Sequence, residues 1–541
     1  MVHSTTTIIP ATSLPVILVV LIVAGWGCGG QRSAAHVDDN LDIRLPDTRQ
    51  DIQTWHCGKH DSDDVTATLK DDGTLIVSGT GDMQDYRLVD ENSTFFAPWS
   101  NDNACIDSVL NAIPEDPVPE EALFCACTAA SVIIEDGVTS IGTRAFRGCT
   151  RLESVTIPAS VKFIGEDAFE YCTRLTSITV AEDNPHYYSV DGVLFRKQML
   201  SSRMVSALTR YPPGRQGAYT IPDWVPFIEN GAFAGCTGLI SVTIPNDVIL
   251  IGERAFAGCT GLTAVTIPGS VAQIGKSAFS RCYGLTSLTI HNGVGRIGES
   301  AFNACTSLVS VTISSGVTSI DEKAFRGCIN LESVTIPTSV EFIGDDAFEY
   351  CPRLASIDVS SNNPQFSSVD GVLFSKDRKC LIRYPEGKQN TMYTIPNTVT
   401  VIGESAFKDC RNLTSVAIPG SVIFIYGWAF SGCTNLTTVT IPDRITEISE
   451  FTFSGCANVT SISIPSSVNI IKDRAFNGAH RLASITSLNL TPPKIFGEAF
   501  GHAPSGVCLY VPENSIGAYR AAYGWKKFEC IKNPASAPRG E

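Results

Sequence analysis

The sequence predicts a repeat solenoid of about 23 residues per coil, each coil a β-strand plus a short helical turn, with caps at both ends. Three observations carry this expectation. Phe256, Phe279, Phe302, Phe325 and Phe348 recur every 23 residues, each preceded by Ala. Cys259, Cys282, Cys305, Cys328 and Cys351 each follow three residues behind a Phe. Between these columns runs an apolar pattern such as Leu262-x-x-Val265-x-Ile267-Pro268, then Val271-x-x-Ile274-Gly275. Self-similarity at a fixed period of this length marks stacked units, because one unit cannot bury its own apolar face and a neighbour can.

Each part of the unit has a physical reading. In Leu152-x-x-Val155-x-Ile157, Val and Ile fall on one face of a strand, and Ser154 and Thr156 fall on the other. Pro158 follows, and the column recurs at Pro222, Pro245, Pro268, Pro337, Pro396, Pro419, Pro442 and Pro465. Proline has no N–H to give and ends the strand there. A second short extended piece ends at Ile164. Gly165 is expected to turn the chain into a one-turn Ala-Phe helix, with Phe169 facing inward. Glu229, Asp321, Tyr426, Ser449 and Lys472 replace this glycine elsewhere, so a positive φ is not needed in every coil.

Taken in order, residues 1–28 read as an export signal. Pro15 to Gly27 is an apolar run of signal length, too short for a comfortable membrane span. Cys28 is the candidate lipid-attachment residue. Gly25 and Trp26 depart from a lipoprotein cleavage pattern and no Lys or Arg precedes the run, so secretion without lipid and an uncleaved anchor stay open. Residues 29–54 are polar and read as a flexible tether. Residues 55–130 form a β-rich opening. There Val65–Leu69 and Thr74–Ser78 flank the turn signal Asp71-Asp72-Gly73, and a cap is needed to cover the first exposed edge. Residues 131–500 carry the repeats. Two enlarged coils, near 181–220 and 360–394, share Asn-Pro followed by Val-Asp-Gly-Val-Leu-Phe and later Arg-Tyr-Pro. They point to a duplicated block. Residues 501–541 end the stack. Ser515 to Trp525 reads as a short helix capped by Asn514 or Ser515, with Ile516, Tyr519 and Tyr523 on one side.

Composition narrows the function. A net charge of −15 and a pI near 5.1, with no basic run, argue against nucleic acid as partner. Eleven of the 19 cysteines occupy one column of the repeat, where a free thiol serves as a small buried hydrophobe. Cys508 and Cys530 flank the C-terminal segment and could pair, as could Cys57, Cys105, Cys125 and Cys127. His56, Cys57 and His60 are close in sequence but read as incidental, and no metal or cofactor is expected. Gly275-Lys276-Ser277 resembles the end of a phosphate-binding loop, yet it is repeat material. The sequons at Asn412, Asn435, Asn458 and Asn489 matter only in a eukaryotic source. The exposed strand face is a Ser/Thr array. Asp358, His291 and Tyr283 break its monotony, and Tyr187, Tyr188 and Phe366 are expected on the protruding enlarged coils. These six are the candidate binding residues.

The spacing Leu-x-x-Val-x-Ile-Pro with Val-x-x-Ile-Gly-x-x-Ala-Phe-x-x-Cys resembles the BspA-like leucine-rich-repeat family of bacterial and protist surface proteins. The resemblance covers roughly residues 131–500. The stretch Gly73 to Gly81 with Ala97-Pro98-Trp99 is similar to the family's opening. Leu509 to Pro512, Tyr519 and Gly524-Trp525 are similar to its end. The resemblance implies a leucine-rich-repeat solenoid in a non-enzymatic surface protein that binds host or other extracellular proteins, possible glycans included, with no catalytic residues to carry over. Any membrane contact would run through the N-terminal anchor. The alternative is a structural envelope or periplasmic scaffold with no external ligand. A third reading is a hydrolase acting on extracellular polymer, with its site in residues 55–130.

Overall fold

A computed structural model of the chain separates Met1–Asp51 from Ile52–Glu541. The structure describes residues 53–59, 64–84, 128–501 and 506–533, all in the second unit. Cys28, His60, Cys105, Cys125 and Cys127 lie outside the described residues.

Strands β1 (Gln53–His56), β2 (Asp64–Leu69) and β3 (Thr74–Asp82) form an antiparallel meander. Gln53 and Thr54, expected in the tether, are already strand. Val65, Ala67, Leu75 and Val77 alternate inward, which fixes the register. Between β2 and β3, Gly73 takes φ 81° and the Thr74 N–H donates to Asp72 Oδ1 at 2.8 Å. β3 then runs parallel to both β4 (Ser131–Ile134) and β5 (Val138–Ile141), so one strand pairs with both ladders of the first coil.

Successive coils repeat this pair. β6 (Ser154–Ile157) continues β4, and β7 (Phe163–Ile164) continues β5. A third ladder runs through the turns. Arg144, Phe146 and Gly148 donate their N–H groups to the carbonyls of Glu166, Ala168 and Glu170, one coil on, at 2.8 to 2.9 Å. The expected Ala-Phe helix is therefore absent here. Three-residue hydrogen bonds such as Cys149 N–H to the Phe146 carbonyl turn the chain instead, with Arg144 at φ 58°. A helix would keep these donors within its own coil, whereas a turn with positive φ at Arg144 and Gly148 aims every second N–H at the next one. The glycine column has another role than the expected turn. Gly165 is not at positive φ, but a Cβ there would lie 2.3 Å from the Thr143 nitrogen. Glycine here permits close stacking.

The core is a set of ladders. Phe279 and Phe302 stack at 5.3 Å, only 7° from parallel, and the same pairing recurs coil after coil. The Cys305 thiol donates to the Phe279 carbonyl of the preceding coil at 3.2 Å, as Cys259, Cys282, Cys328 and Cys433 do in theirs. Each thiol thus satisfies a buried acceptor as well as filling space. Burial pushes these thiols up, Cys328 to about 12, so they stay protonated and inert.

The enlarged coils interrupt this order. After β8 (Ser177–Val180), strands β9 (Tyr187–Val190), β10 (Val193–Leu200) and β11 (Arg203–Arg210) form an antiparallel meander. After β12 (Gly217–Thr220), β13 (Phe227–Ile228) pairs parallel with β11 and the regular stack resumes. The second enlarged coil repeats the plan with shorter strands, Phe366–Val369, Val372–Ser375 and Cys380–Arg383. The buried core divides into three clusters at these two places. Tyr211 and Tyr384 restart the aromatic column, stacked on Phe233 and Phe407 at 5.1 and 5.2 Å. Asn184 is fully buried in the first junction. Its Nδ2 donates to the Pro158 and Val161 carbonyls while its Oδ1 accepts the His186 and Tyr187 N–H groups, and Asn363 does the same work in the second.

At the C-terminal end, strand Cys508–Tyr510 joins the first ladder and strand Cys530–Lys532 covers it, with Cys508 and Cys530 disulfide-bonded. Helix α1 (Ile516–Ala521) places Tyr519 inward, its hydroxyl 2.7 Å from Ser487 Oγ. Trp525 is buried and its Nε1–H donates to the Pro493 carbonyl at 2.8 Å. Two expectations fail here. Tyr523 lies beyond the helix and is 68% exposed. Ser515 makes no side-chain cap, because its hydroxyl donates to the Leu490 carbonyl at 2.8 Å.

Candidate binding surface

The strands of the first ladder turn one face to solvent, and parallel pairing lines up like residues across coils. Ser287, Ser310, Ser333 and Ser356 form one row in register. Thr266, Thr289 and Thr312 form a second, and further along Thr335 meets Asp358. The burial pattern of strand Ser333–Ile336 explains the rows, since Val334 and Ile336 face the core and Ser333 and Thr335 face outward. The result is a hydroxyl-bearing strip, uncharged along Thr266, Thr289, Thr312 and Thr335 until Asp358.

The six candidate residues do not meet in one place. Asp358 is exposed on the strip and accepts a hydrogen bond from the Ser356 hydroxyl. His291, also exposed, lies just past strand Ser287–Ile290, and Tyr283 sits in the turn after Cys282. Those two lie on either side of strand Ser287–Ile290, and Asp358 is about three coils further on. Tyr187 is a correction. It is 2% exposed, and its hydroxyl accepts the Ile164 N–H at 3.1 Å, so it seals the neighbouring coil. Tyr188 is half-buried, stacked on Phe195 at 5.4 Å with its hydroxyl 2.6 Å from Ser206 Oγ. Phe366 is likewise half-buried against the core. These aromatics seal the enlarged coils and do not protrude.

The protrusion is elsewhere. At the tip of the β10–β11 hairpin, Met199 and Met204 are 62% and 59% exposed, beside Leu200. The sequence carried a signal for this. The spacing from Phe169 to Phe233 is 64 residues, against 59 from Phe348 to Phe407, and the extra length lies in the hairpin.

Beneath the hairpin is a cleft of about 480 Å³. β7 and the turn after it form one side, and β13 with its following turn forms the other. The face of β10 bearing Leu194, Arg196, Gln198 and Leu200 closes it. Arg210 holds this region together. Its guanidinium is buried and donates to the carbonyls of Phe169, Gly231 and Ala234, spanning the coils before and after the junction. Arg196 pairs with Glu229, and Arg144 pairs with Asp167 at 3.6 Å. Glu166 is exposed at the cleft and has no ion-pair partner among the described residues.

Other sequence features fall into structural roles. Lys276, from the loop-like Gly-Lys-Ser, pairs with Glu299 at 3.0 Å. Asn489 is buried, and its amide donates to the Ser466 and Val468 carbonyls. Among the described residues, no group of three or more His, Cys, Asp or Glu side chains is placed to hold a metal ion.

A family model described as the BspA type leucine rich repeat region, in six copies, matches residues 120–201, 222–366 and 386–503, well over half of the chain. The chain belongs to the BspA-type leucine-rich-repeat family. The BspA-type match covers coils whose Phe and Cys columns are buried in the core. No curated protein matches the chain. Among solved structures it is similar to a leucine rich cell surface protein of Faecalibacterium prausnitzii, 23% identical over 90% of this chain and 96% of that one, with a TM-score of 0.41. It is also similar to the pneumococcal vaccine antigen PcpA, 18% identical over 88% and 98% of the two chains, TM-score 0.42. A leucine-rich repeat protein of Bacteroides ovatus is 23% identical over 78% and 92%, TM-score 0.37.

Proposed function

We propose that this is an exported, non-enzymatic protein of the cell surface that binds other proteins at many points along its strand face. The observation that carries the reading is the in-register strip Ser287–Ser310–Ser333–Ser356 beside the threonine row. Hydroxyls both donate and accept, and a row spaced at about 4.8 Å offers repeated weak contacts to a partner lying along it. The charge of −15 favours protein or glycan partners over nucleic acid. The apolar run Pro15 to Gly27 before Cys28 supports export, with Cys28 as anchor.

The test is binding of the purified protein to a panel of extracellular matrix proteins, cell-surface proteins and glycans at physiological salt. Saturable binding to a protein, lost on Thr289→Lys with Thr312→Lys, supports the reading. A folded protein that binds nothing across the panel overturns it. Fractionation of cells carrying Cys28→Ser tests the anchor: the variant is expected to leave the membrane fraction, and unchanged partitioning would exclude lipid attachment.

A further inference from the structure

The second ladder of short strands runs unbroken through the regular coils from β13 to strand Phe342–Ile343. There the carbonyls of Ile249 and Ile251 accept the N–H groups of Ala272 and Gly275, each at 3.0 Å. At β7 this ladder stops. β7 pairs with β5 and with no later strand. The Ile164 N–H is already taken by the Tyr187 hydroxyl. The carbonyls of Lys162 and Ile164 occupy the positions of those of Ile249 and Ile251, and among the described residues no N–H group donates to them. The cleft of about 480 Å³ opens beside this edge.

We propose that the cleft takes one extended segment of a partner polypeptide, added as a strand to the outer edge of β7, with an apolar side chain between Phe163 and Leu200 and a basic residue against Glu166. The inference rests on reading the chain as a protein-binding surface and names the site and the chemistry it selects. Two acceptors at alternate residues of one strand edge, with the donor between them occupied, call for a backbone that offers N–H groups at strand spacing. A helix uses its own N–H groups internally and cannot supply them. The side walls fit an apolar residue, because Phe163 is 54% exposed and Leu200 faces the same cleft. Charge selects the flanking residue, since Glu166 has no ion-pair partner among the described residues and the chain is strongly acidic. Strand Phe342–Ile343 ends its sheet in the same way at the second junction. The hairpin there has four-residue strands and supplies no counterpart of the Met199–Leu200 wall.

Displayed random peptides selected on the intact protein test this directly. Enriched peptides are expected to alternate β-forming residues with Lys or Arg. Their affinity should fall at least about tenfold against the Phe163→Lys, Leu200→Lys double variant, and again when alternate backbone amides of the peptide are N-methylated. Glu166→Lys should weaken binding too. Phe163, Leu200 and Glu166 are all exposed, and an unchanged melting temperature shows that each variant is folded. Peptides that bind wild type and double variant alike would place recognition elsewhere, overturning the cleft but leaving the broader surface reading intact. Indifference to N-methylation would overturn strand addition. A protein that enriches no peptide, yet binds a folded protein of the panel, would also exclude the cleft alone.

Discussion

Glu170 and Arg254 stand 84 residues apart in sequence, yet the Arg254 guanidinium donates to Glu170 Oε1 at 2.9 Å. Glu170 Oε2 accepts from Arg147 Nε at 2.8 Å, so one fully buried carboxylate ties the coil before the first enlarged coil to a coil beyond it. Glu349 repeats the device at the second junction, between Arg326 at 2.6 Å and Lys408. At each of these two junctions a buried ionic clasp spans the break. Glu170→Gln removes the buried carboxylate charge from between Arg147 and Arg254 and should cost roughly 3–5 kcal/mol. Chemical denaturation checks this, and a loss under about 1 kcal/mol would place the clasp among ordinary surface ion pairs.

The second clasp carries a pH signature. Burial disfavours the Glu349 carboxylate, but hydrogen bonds from Lys408 and Arg326 outweigh it and hold the carboxyl below the usual 4.5. A carboxyl whose value is lower in the folded state binds its proton more readily when unfolded. Its stabilisation is therefore present above the unfolded value and lost as pH falls through the lower folded value. Glu349→Gln should lower stability at neutral pH and flatten its decline in acid. Melting temperatures across pH 7 to 3, as a solution range, would show parallel curves for variant and wild type if the clasp contributed nothing.

The cysteine column makes a separate prediction. Its thiols are buried, and those of Cys282 and Cys305 are raised by burial and bonded to the preceding coil's Phe carbonyl. Among the described free cysteines, only Cys380 is partly exposed. Iodoacetamide followed by peptide mass spectrometry should label Cys380 in the native protein and the column only after unfolding. Cys305→Ala removes the thiol donor from the Phe279 carbonyl, which keeps the Cys282 N–H at 3.4 Å, and should cost about 0.5–1.5 kcal/mol.

Phe302 lies mid-column, stacked between Phe279 and Phe325 at 5.3 and 5.4 Å. Phe302→Ala should cost roughly 3–5 kcal/mol. In a stack held by neighbour contacts, faster amide exchange should centre on the adjoining coils. Uniform loosening from β4 to the C-terminal cap would contradict that.

Much of this was legible because the repeat is redundant. Phe256, Phe279 and Phe302 recur at one spacing, and a period seen many times fixes the buried columns without any pairwise inference. The turns were not legible. Ala-Phe preceded by Gly reads locally as a helical start, and only the stack reveals that Arg144, Phe146 and Gly148 spend their N–H groups on the next coil. Tyr187 was misplaced because the enlarged coil leaves the 23-residue frame, so no column says which way it faces. The cleft was hidden for a related reason. It depends on a strand edge at β7 that no sequence pattern marks as unpaired.

The most direct test of the binding surface is amide hydrogen exchange on the intact protein, free and saturated with a partner from the panel. Exchange should slow along strands such as Ser287–Ile290 and Ser310–Ile313 and along β7 and β10, with the turns of the Phe and Cys columns unchanged. Protection confined to those turns, with the strand face and the β7 cleft unaffected, would contradict the assignment.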